Sequence, residues 1–296
     1  MTHVATFISN PATPSLTDTH LAEAARELPA ARPPVWLAAG VAADIPFTPA
    51  AGQDARHLMA VLRSSMPGID VAIQSVAHRR KRLLVADMDS TMIGQECIDE
   101  LAGVLGLKDQ VAEITERAMN GEIAFEPALR ERVALLRGLP ASVVDNVLGE
   151  RITLMPGALE LVRTMKAHGA YAALVSGGFT VFTGPVAAMI GFDEHRSNTL
   201  MVEGDTLSGT VLEPILGKEA KLSSLQELAA THGLMQQETL AVGDGANDLA
   251  MLQAAGLGVA YHAKPAVAAA ADLRVDHGDL TALLYIQGYS SNDFRA

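Results

Sequence analysis

This 296-residue chain holds one cysteine, Cys97. An internal disulfide is therefore excluded, and a reducing compartment, by default the cytoplasm, is expected. Positive charge is scarce as well. Against 34 Asp and Glu stand 22 Lys and Arg, a formal net charge of −12, which argues against a general nucleic-acid-binding surface. A site that handled phosphate would need its cations supplied locally. No window approaches the roughly eighteen apolar residues of a membrane span. The opening Met1-Thr2-His3-Val4-Ala5-Thr6 has no basic segment ahead of an apolar one, so neither an anchor nor an export signal is expected. Also missing are a Gly-x-x-x-x-Gly-Lys-Ser/Thr nucleotide loop, a twelve-residue calcium loop and a full dinucleotide fingerprint; Gly243-Asp244-Gly245 supplies Gly-x-Gly alone.

What is present is 49% hydrophobic and 19% charged, the make-up of a soluble globular protein long enough for two domains or for one with an insertion. Residues 1–80 alternate strand-like and helical runs: Val4 to Ile8, Leu21 to Leu28, Val35 to Leu37, Arg56 to Leu62 and Val71 to Ile73. That β-α-β-α-β order predicts a small α+β domain. The run His78-Arg79-Arg80-Lys81-Arg82 reads as a solvated junction. From residue 81 to 296 a second domain is expected, with a helical insertion at about 93–155. There, apolar residues such as Ile98, Leu101, Leu105 and Val111 recur at helical spacing. After Pro156-Gly157 strands and helices alternate, with a hairpin around Gly204, which predicts a doubly wound parallel α/β sheet.

Three strand ends carry the chemistry. The apolar run Leu83-Leu84-Val85-Ala86 stops at Asp87-Met88-Asp89-Ser90-Thr91, delivering two acids to the carboxyl edge of a buried parallel strand, where ligands of open α/β sheets bind. Taken alone this stretch serves equally as a helix cap. A second strand ends Ser176-Gly177-Gly178. Its glycines and hydroxyl suit an anion at a helix N-terminus, and they equally suit a plain turn. The third ends Gly243-Asp244-Gly245-Ala246-Asn247-Asp248, bringing two more carboxylates. Hard oxygen donors with few imidazoles or thiols point to Mg²⁺ rather than Ca²⁺. Lys218 and Lys221 precede that strand, and a lysine here would neutralise phosphate from the side opposite the metal.

In this order, Asp87-x-Asp89-Ser90-Thr91, Ser176-Gly177, a lysine and Gly243-Asp244-Gly245-Ala246-Asn247-Asp248 resemble the motifs of the haloacid dehalogenase superfamily. Within it, Glu96-Cys97-Ile98-Asp99-Glu100, Ala118-Met119-Asn120-Gly121, Phe125 and Leu129-Arg130-Glu131-Arg132-Val133 are similar to the cap of the phosphoserine phosphatase family. The resemblance runs from about Lys81 to Tyr289, and the first 80 residues are only loosely ACT-like.

The resemblance implies a Rossmann-like core with a helical cap, and an Mg²⁺-dependent phosphatase that completes serine biosynthesis. Asp87 would be the nucleophile and Asp89 the general acid and base. Mg²⁺ would rest on Asp87, the backbone carbonyl of Asp89, and Asp244, with Asp248 behind it supporting its waters or the lysine. Ser176, Gly177, Lys221 (preferred to Lys218) and Asn247 would hold the phosphoryl group. Glu96 would take the substrate ammonium, Arg132 its carboxylate, and Met119 with Phe125 would close over it. The expected partner is then O-phospho-L-serine, without nucleic acid or membrane, and the chain is compatible with a homodimer. Two other readings stay open at this point. One is another small phosphomonoester, or transfer of the phosphoryl group to an alcohol. The other is an amino-acid-sensing protein with a vestigial catalytic domain, a reading weakened by the full set of motif residues.

Overall fold

The computed structural model describes residues 2–119 and 122–296. Its amino-terminal unit runs β1 (His3–Ile8), α1 (Asp18–Glu27), β2 (Val35–Ala38), β3 (Ala42–Phe47), α2 (Ala55–Ser65) and β4 (Asp70–Ser75). The four strands form one sheet in the order β2-β3-β1-β4, and β1 lies antiparallel to both neighbours. This is the β-α-β-β-α-β arrangement of split βαβ folds, one strand richer than the sequence pattern predicts. The strand overlooked is β3, Ala42-Ala43-Asp44-Ile45-Pro46-Phe47, whose Asp and Pro argue against a central strand. Both find a place. β2 pairs with β3 only from Ala42 to Asp44, so Pro46 costs no ladder bond to β2, and Asp44 has a partly buried partner.

That partner is Arg79, and with Lys81 it corrects the reading of residues 78–82 as a solvated junction, which holds only for the exposed His78, Arg80 and Arg82. The Arg79 guanidinium meets both carboxylate oxygens of Asp44 at 2.6 and 2.8 Å and donates to the carbonyls of Tyr285 and Ile286. Lys81, which is buried, donates through Nζ to the Gln237 carbonyl at 2.7 Å. Charge pattern alone cannot separate such clamps from a solvated run, because the partners lie far away in sequence. The chain from Arg79 to Lys81 is thus fastened to the carboxyl-terminal segment. A second fastener is Asp70, which accepts from the backbone N–H groups of Asp276, His277 and Gly278.

The larger unit begins with β5 (Leu83–Ala86) and continues through α3 (Cys97–Val104), α4 (Lys108–Met119), α5 (Phe125–Ala134), α6 (Val143–Glu150) and α7 (Ala158–Ala167). Next come β6 (Tyr171–Phe179), α8 (Thr180–Ile190), β7 (Glu194–Asn198), the hairpin β8 (Leu200–Glu203) and β9 (Thr206–Val211), and α9 (Lys218–Thr231). β10 (Thr239–Gly243), α10 (Leu249–Ala254), β11 (Leu257–Tyr261), α11 (Pro265–Ala270), β12 (Leu273–Val275) and α12 (Ala282–Ile286) complete it. Six strands make a parallel sheet in the order β12-β11-β10-β5-β6-β7. The edge strand β7, Glu-His-Arg-Ser-Asn, has no apolar residue and left no trace in the hydrophobic pattern.

Both faces of this sheet are covered, and the two-residue period of a strand shows how. Leu84 and Ala86 join one apolar cluster with Leu174, Leu240 and Val242; Leu83 and Val85 join another with Ala173, Val175 and Ala241. Helices α7, α8 and α12 supply the first cluster, and α9 and α10 the second. No helix among the described residues is long and apolar enough to cross a membrane.

Candidate active site

Parallel pairing sets the site. Ala86 on β5 is level with Leu174 on β6 and with Val242 on β10. The chain therefore leaves all three strands at one edge, with β5 in the middle and the others to either side. The Asp87 N–H donates to the Val242 carbonyl at 3.0 Å, which extends the ladder by one bond and fixes where this side chain starts. The first polar residues beyond the apolar runs, Asp87, Ser176 and Asp244, thus share one crevice.

At its floor lies a buried ion cluster. Lys221 Nζ sits 2.8 Å from Asp87 Oδ1 and 2.6 Å from Asp248 Oδ1, while Asp248 Oδ2 accepts the Gly245 N–H at 3.0 Å. A Cβ at Gly243 would collide with the Asp248 carboxyl group, so only glycine lets this acid tuck under the strand end. Lys218, one turn earlier, is exposed and stands near Glu219. One oxygen each of Asp87, Asp244 and Asp248 lies within 4.8 Å of the others, and the Thr91 hydroxyl donates to Asp244 Oδ1 at 3.3 Å.

This cluster has more negative charge than its one ammonium offsets, and its proton affinities reflect that. Burial would pull Lys221 down, but Asp248 and Asp87 outweigh it and hold the ammonium charged. Asp87 is raised well above the usual carboxylate range by burial, with Lys221 opposing and Asp248 adding to the rise. Asp244 rises to about 6 through burial and the charges of Asp248 and Glu96. Asp89 rises to about 7, again through burial and then Glu96, despite the Cys97 N–H that it accepts at 3.4 Å. Oxygen donors crowded together with an unbalanced negative charge suit a divalent cation, which would relieve the repulsion. Asp87 and Asp244 have oxygens to offer it, whereas both oxygens of Asp248 are engaged by Lys221 and Gly245.

A pH dependence follows from these shifts. Carboxylates with raised folded-state affinities bind more protons in the folded chain than in the unfolded one. Without a cation, stability is then fullest below about pH 4 for these groups and is lost as pH climbs through about 6 to 7. A cation reverses that loss, so the rise in thermal midpoint on adding Mg²⁺ is expected to be larger near pH 7.5 than near pH 5. Scanning calorimetry at both pH values, with and without the cation, measures this, and an equal rise at both would contradict it.

The other expected residues fall around the crevice. Ser176 is buried and its Oγ accepts the Gly178 N–H at 2.9 Å. Gly177 faces the ring of Phe125, which a Cβ there would approach to 3.3 Å, so the start of α5 lies directly over this turn. Arg132 on α5 is half-buried, donates to the Ala128 carbonyl and the Thr115 hydroxyl, and feels the charges of Asp99, Glu96 and Asp89. Burial pulls its affinity for the proton down without threatening its charge. Glu96 is exposed at the start of α3, close enough to raise both Asp89 and Asp244. Asn247 lies in the short turn between Asp244 and Asp248. The Met119 side chain, with Asn120 and Gly121, falls outside the described residues.

Some contributors carry no signal in the sequence. Asn198, 2% exposed at the end of β7, donates through Nδ2 to the carbonyls of Gly177 and Leu216 and accepts the Leu216 N–H at 2.7 Å. It ties the glycine turn to the segment that leads into α9 and Lys221. Thr91 belongs to the first motif, but only the fold shows that its hydroxyl reaches across to Asp244.

Known proteins resemble this chain in sequence and in fold. The family model for haloacid dehalogenase-like hydrolases matches residues 84–253. Phosphoserine phosphatase SerB2 of Mycobacterium tuberculosis is 43% identical over 230 residues, covering 77% of this chain and 56% of the relative. This chain thus spans little more than half the length of that curated protein. Among solved structures, a HAD family hydrolase from Salmonella enterica serovar Typhi is 30% identical with a TM-score of 0.86, covering 96% of this chain and 98% of the other. A phosphoserine phosphatase solved as a phospho-aspartyl intermediate analogue is 38% identical with a TM-score of 0.65, covering 70% and 98%.

Proposed function

Because the chain belongs to the haloacid dehalogenase-like hydrolases, whose model takes in more than half of it, we propose that it is an Mg²⁺-dependent phosphatase that hydrolyses O-phospho-L-serine to L-serine and phosphate. The observation that carries this reading is Asp87, held at the sheet edge beside Lys221 and Asp244 with a second acid, Asp89, two residues on. The relatives named phosphoserine phosphatase support the substrate. The single buried thiol of Cys97 fits a cytoplasmic setting.

In this reading Asp87 Oδ attacks phosphorus while the serine oxygen departs, which splits one difficult hydrolysis into two easier displacements through an aspartyl phosphate. Asp87, the Asp89 carbonyl and Asp244 would hold Mg²⁺, whose positive charge would let a carboxylate approach an anionic phosphate. Lys221, the Ser176 hydroxyl, the Gly177 N–H and Asn247 hold the phosphoryl oxygens. Asp89, with an affinity near pH 7, is still partly protonated at neutral pH and can give its proton to the departing oxygen. As a carboxylate it then activates the water that cleaves the aspartyl phosphate. Glu96 faces the substrate ammonium and Arg132 its carboxylate, matching the two charges that distinguish phosphoserine from simpler monoesters. Phe125 lies over Gly177 and keeps bulk water from the turn.

Arg132→Ala separates substrate choice from chemistry. It is expected to lower kcat/KM for phosphoserine by about 30-fold or more, with a much smaller loss for phosphoethanolamine, which has no carboxylate. An equal loss on both substrates would remove Arg132 from this role.

A further inference from the structure

Ser90 stands next to Asp89 and has a backbone φ of +55°, a left-handed conformation that residues other than glycine seldom adopt. Such strain persists where surrounding structure enforces it, often at sites that need a side chain aimed. Here the aim is clear: Ser90 Oγ donates to Glu96 Oε1 at 2.7 Å. The partner is unusual as well. Glu96 occupies the N-cap position of α3, where a short Ser, Thr, Asp or Asn is favoured, and its side chain does not cap the helix. The carboxylate turns back instead to the loop that carries Asp87 and Asp89, close enough to influence Asp89 and Asp244 electrostatically.

We infer that Ser90 is a specificity-determining positioning residue: its hydroxyl fixes one oxygen of Glu96 and thereby leaves the other turned toward the crevice for the substrate's ammonium group. The inference rests on the assignment of Glu96 to the ammonium. An exposed glutamate with three side-chain torsions would otherwise sample many rotamers, and ordering it during binding would cost affinity. The serine hydroxyl does that ordering beforehand. It also links the catalytic loop to the first helix of the cap, so the ammonium subsite is built from both.

The test measures kcat/KM for L-phosphoserine and for 3-phosphooxypropanoate, which keeps the carboxylate and phosphate but lacks the amino group. Their ratio reports the ammonium contact alone. Ser90→Ala and Ser90→Gly are both needed, because glycine accepts the positive φ without strain and so removes the hydroxyl while preserving the backbone. Each is expected to lower the ratio about five- to tenfold, the scale of a part-exposed hydrogen bond to a charged group, chiefly through KM for phosphoserine. Glu96→Ala should lower the ratio at least as far, and Ser90→Ala combined with Glu96→Ala should go no lower than Glu96→Ala. If Glu96→Ala lowers the ratio while both Ser90 variants leave it intact, or slow both substrates equally, the Ser90 inference is overturned and the Glu96 assignment survives. If Glu96→Ala leaves the ratio intact, the assignment fails and the Ser90 inference fails with it.

Discussion

Asp87→Asn is expected to reduce phosphate release by about 10⁴-fold or more, the scale on which loss of a catalytic nucleophile is felt. The substitution is nearly isosteric, so its effect is chemical. An amide oxygen is a poor nucleophile toward phosphorus, and its neutral group takes one carboxylate from the oxygen set of Asp87, Asp244 and Asp248. The fold should tolerate it, because the floor of the crevice already holds more negative charge than Lys221 offsets. Acid-quenched parent enzyme mixed with phosphoserine should carry a phosphoryl group on the peptide containing Asp87, and the variant should carry none. A variant that turned over at a tenth of the parent rate would place the nucleophile elsewhere.

Lys221→Met is expected to be the most destabilising single change at the site. Lys221 is 2% exposed and lies between Asp87 and Asp248, which are 5% and 0% exposed. Removing the ammonium leaves two buried carboxylates without a counter-charge, and breaking a buried pair from one side costs about 3–5 kcal/mol. For a chain of this size that corresponds to a fall in thermal midpoint of roughly 10 °C. The deficit should shrink as pH is lowered toward about 5, because the stranded Asp87, already raised by burial, takes up a proton. Lys221→Arg should rescue little, since a planar guanidinium does not fit a point-charge site between two acids. Thermal melts of the two variants over this pH range measure all three effects, and a deficit independent of pH would mean that packing rather than charge is lost.

The strand ends that build the crevice were legible in the sequence because their signal is local. Leu83–Ala86, Ala172–Val175 and Leu240–Val242 are uninterrupted apolar runs in a sheet buried on both faces, and each gives way to a polar residue, at once or after one glycine. The helices between Cys97 and Glu150 were legible from their apolar spacing. Elements held by tertiary partners were not. β3 carries Asp44, tolerable only because Arg79 lies against it; β7 has no apolar residue to mark it. Arg79 and Lys81 read as solvated because their partners, Asp44 and the carbonyls of Tyr285, Ile286 and Gln237, lie 35 to 207 positions away. The same holds within the site. The motifs named Asp87, Lys221 and Asp248, but that one ammonium bridges two buried acids is a fact of packing. So is the reach of Asn198 from an edge strand to Gly177, and of Ser90 to Glu96.

Substrate choice with and without metal decides whether this chain is a phosphoserine phosphatase. Phosphate release should be measured from L-phosphoserine, phosphoethanolamine and p-nitrophenyl phosphate, each with Mg²⁺ and with EDTA. The expected result is turnover that requires Mg²⁺ and strongly favours phosphoserine, with phosphoethanolamine and p-nitrophenyl phosphate far behind. Turnover of phosphoserine that persisted in EDTA, or none in Mg²⁺, would contradict the central claim.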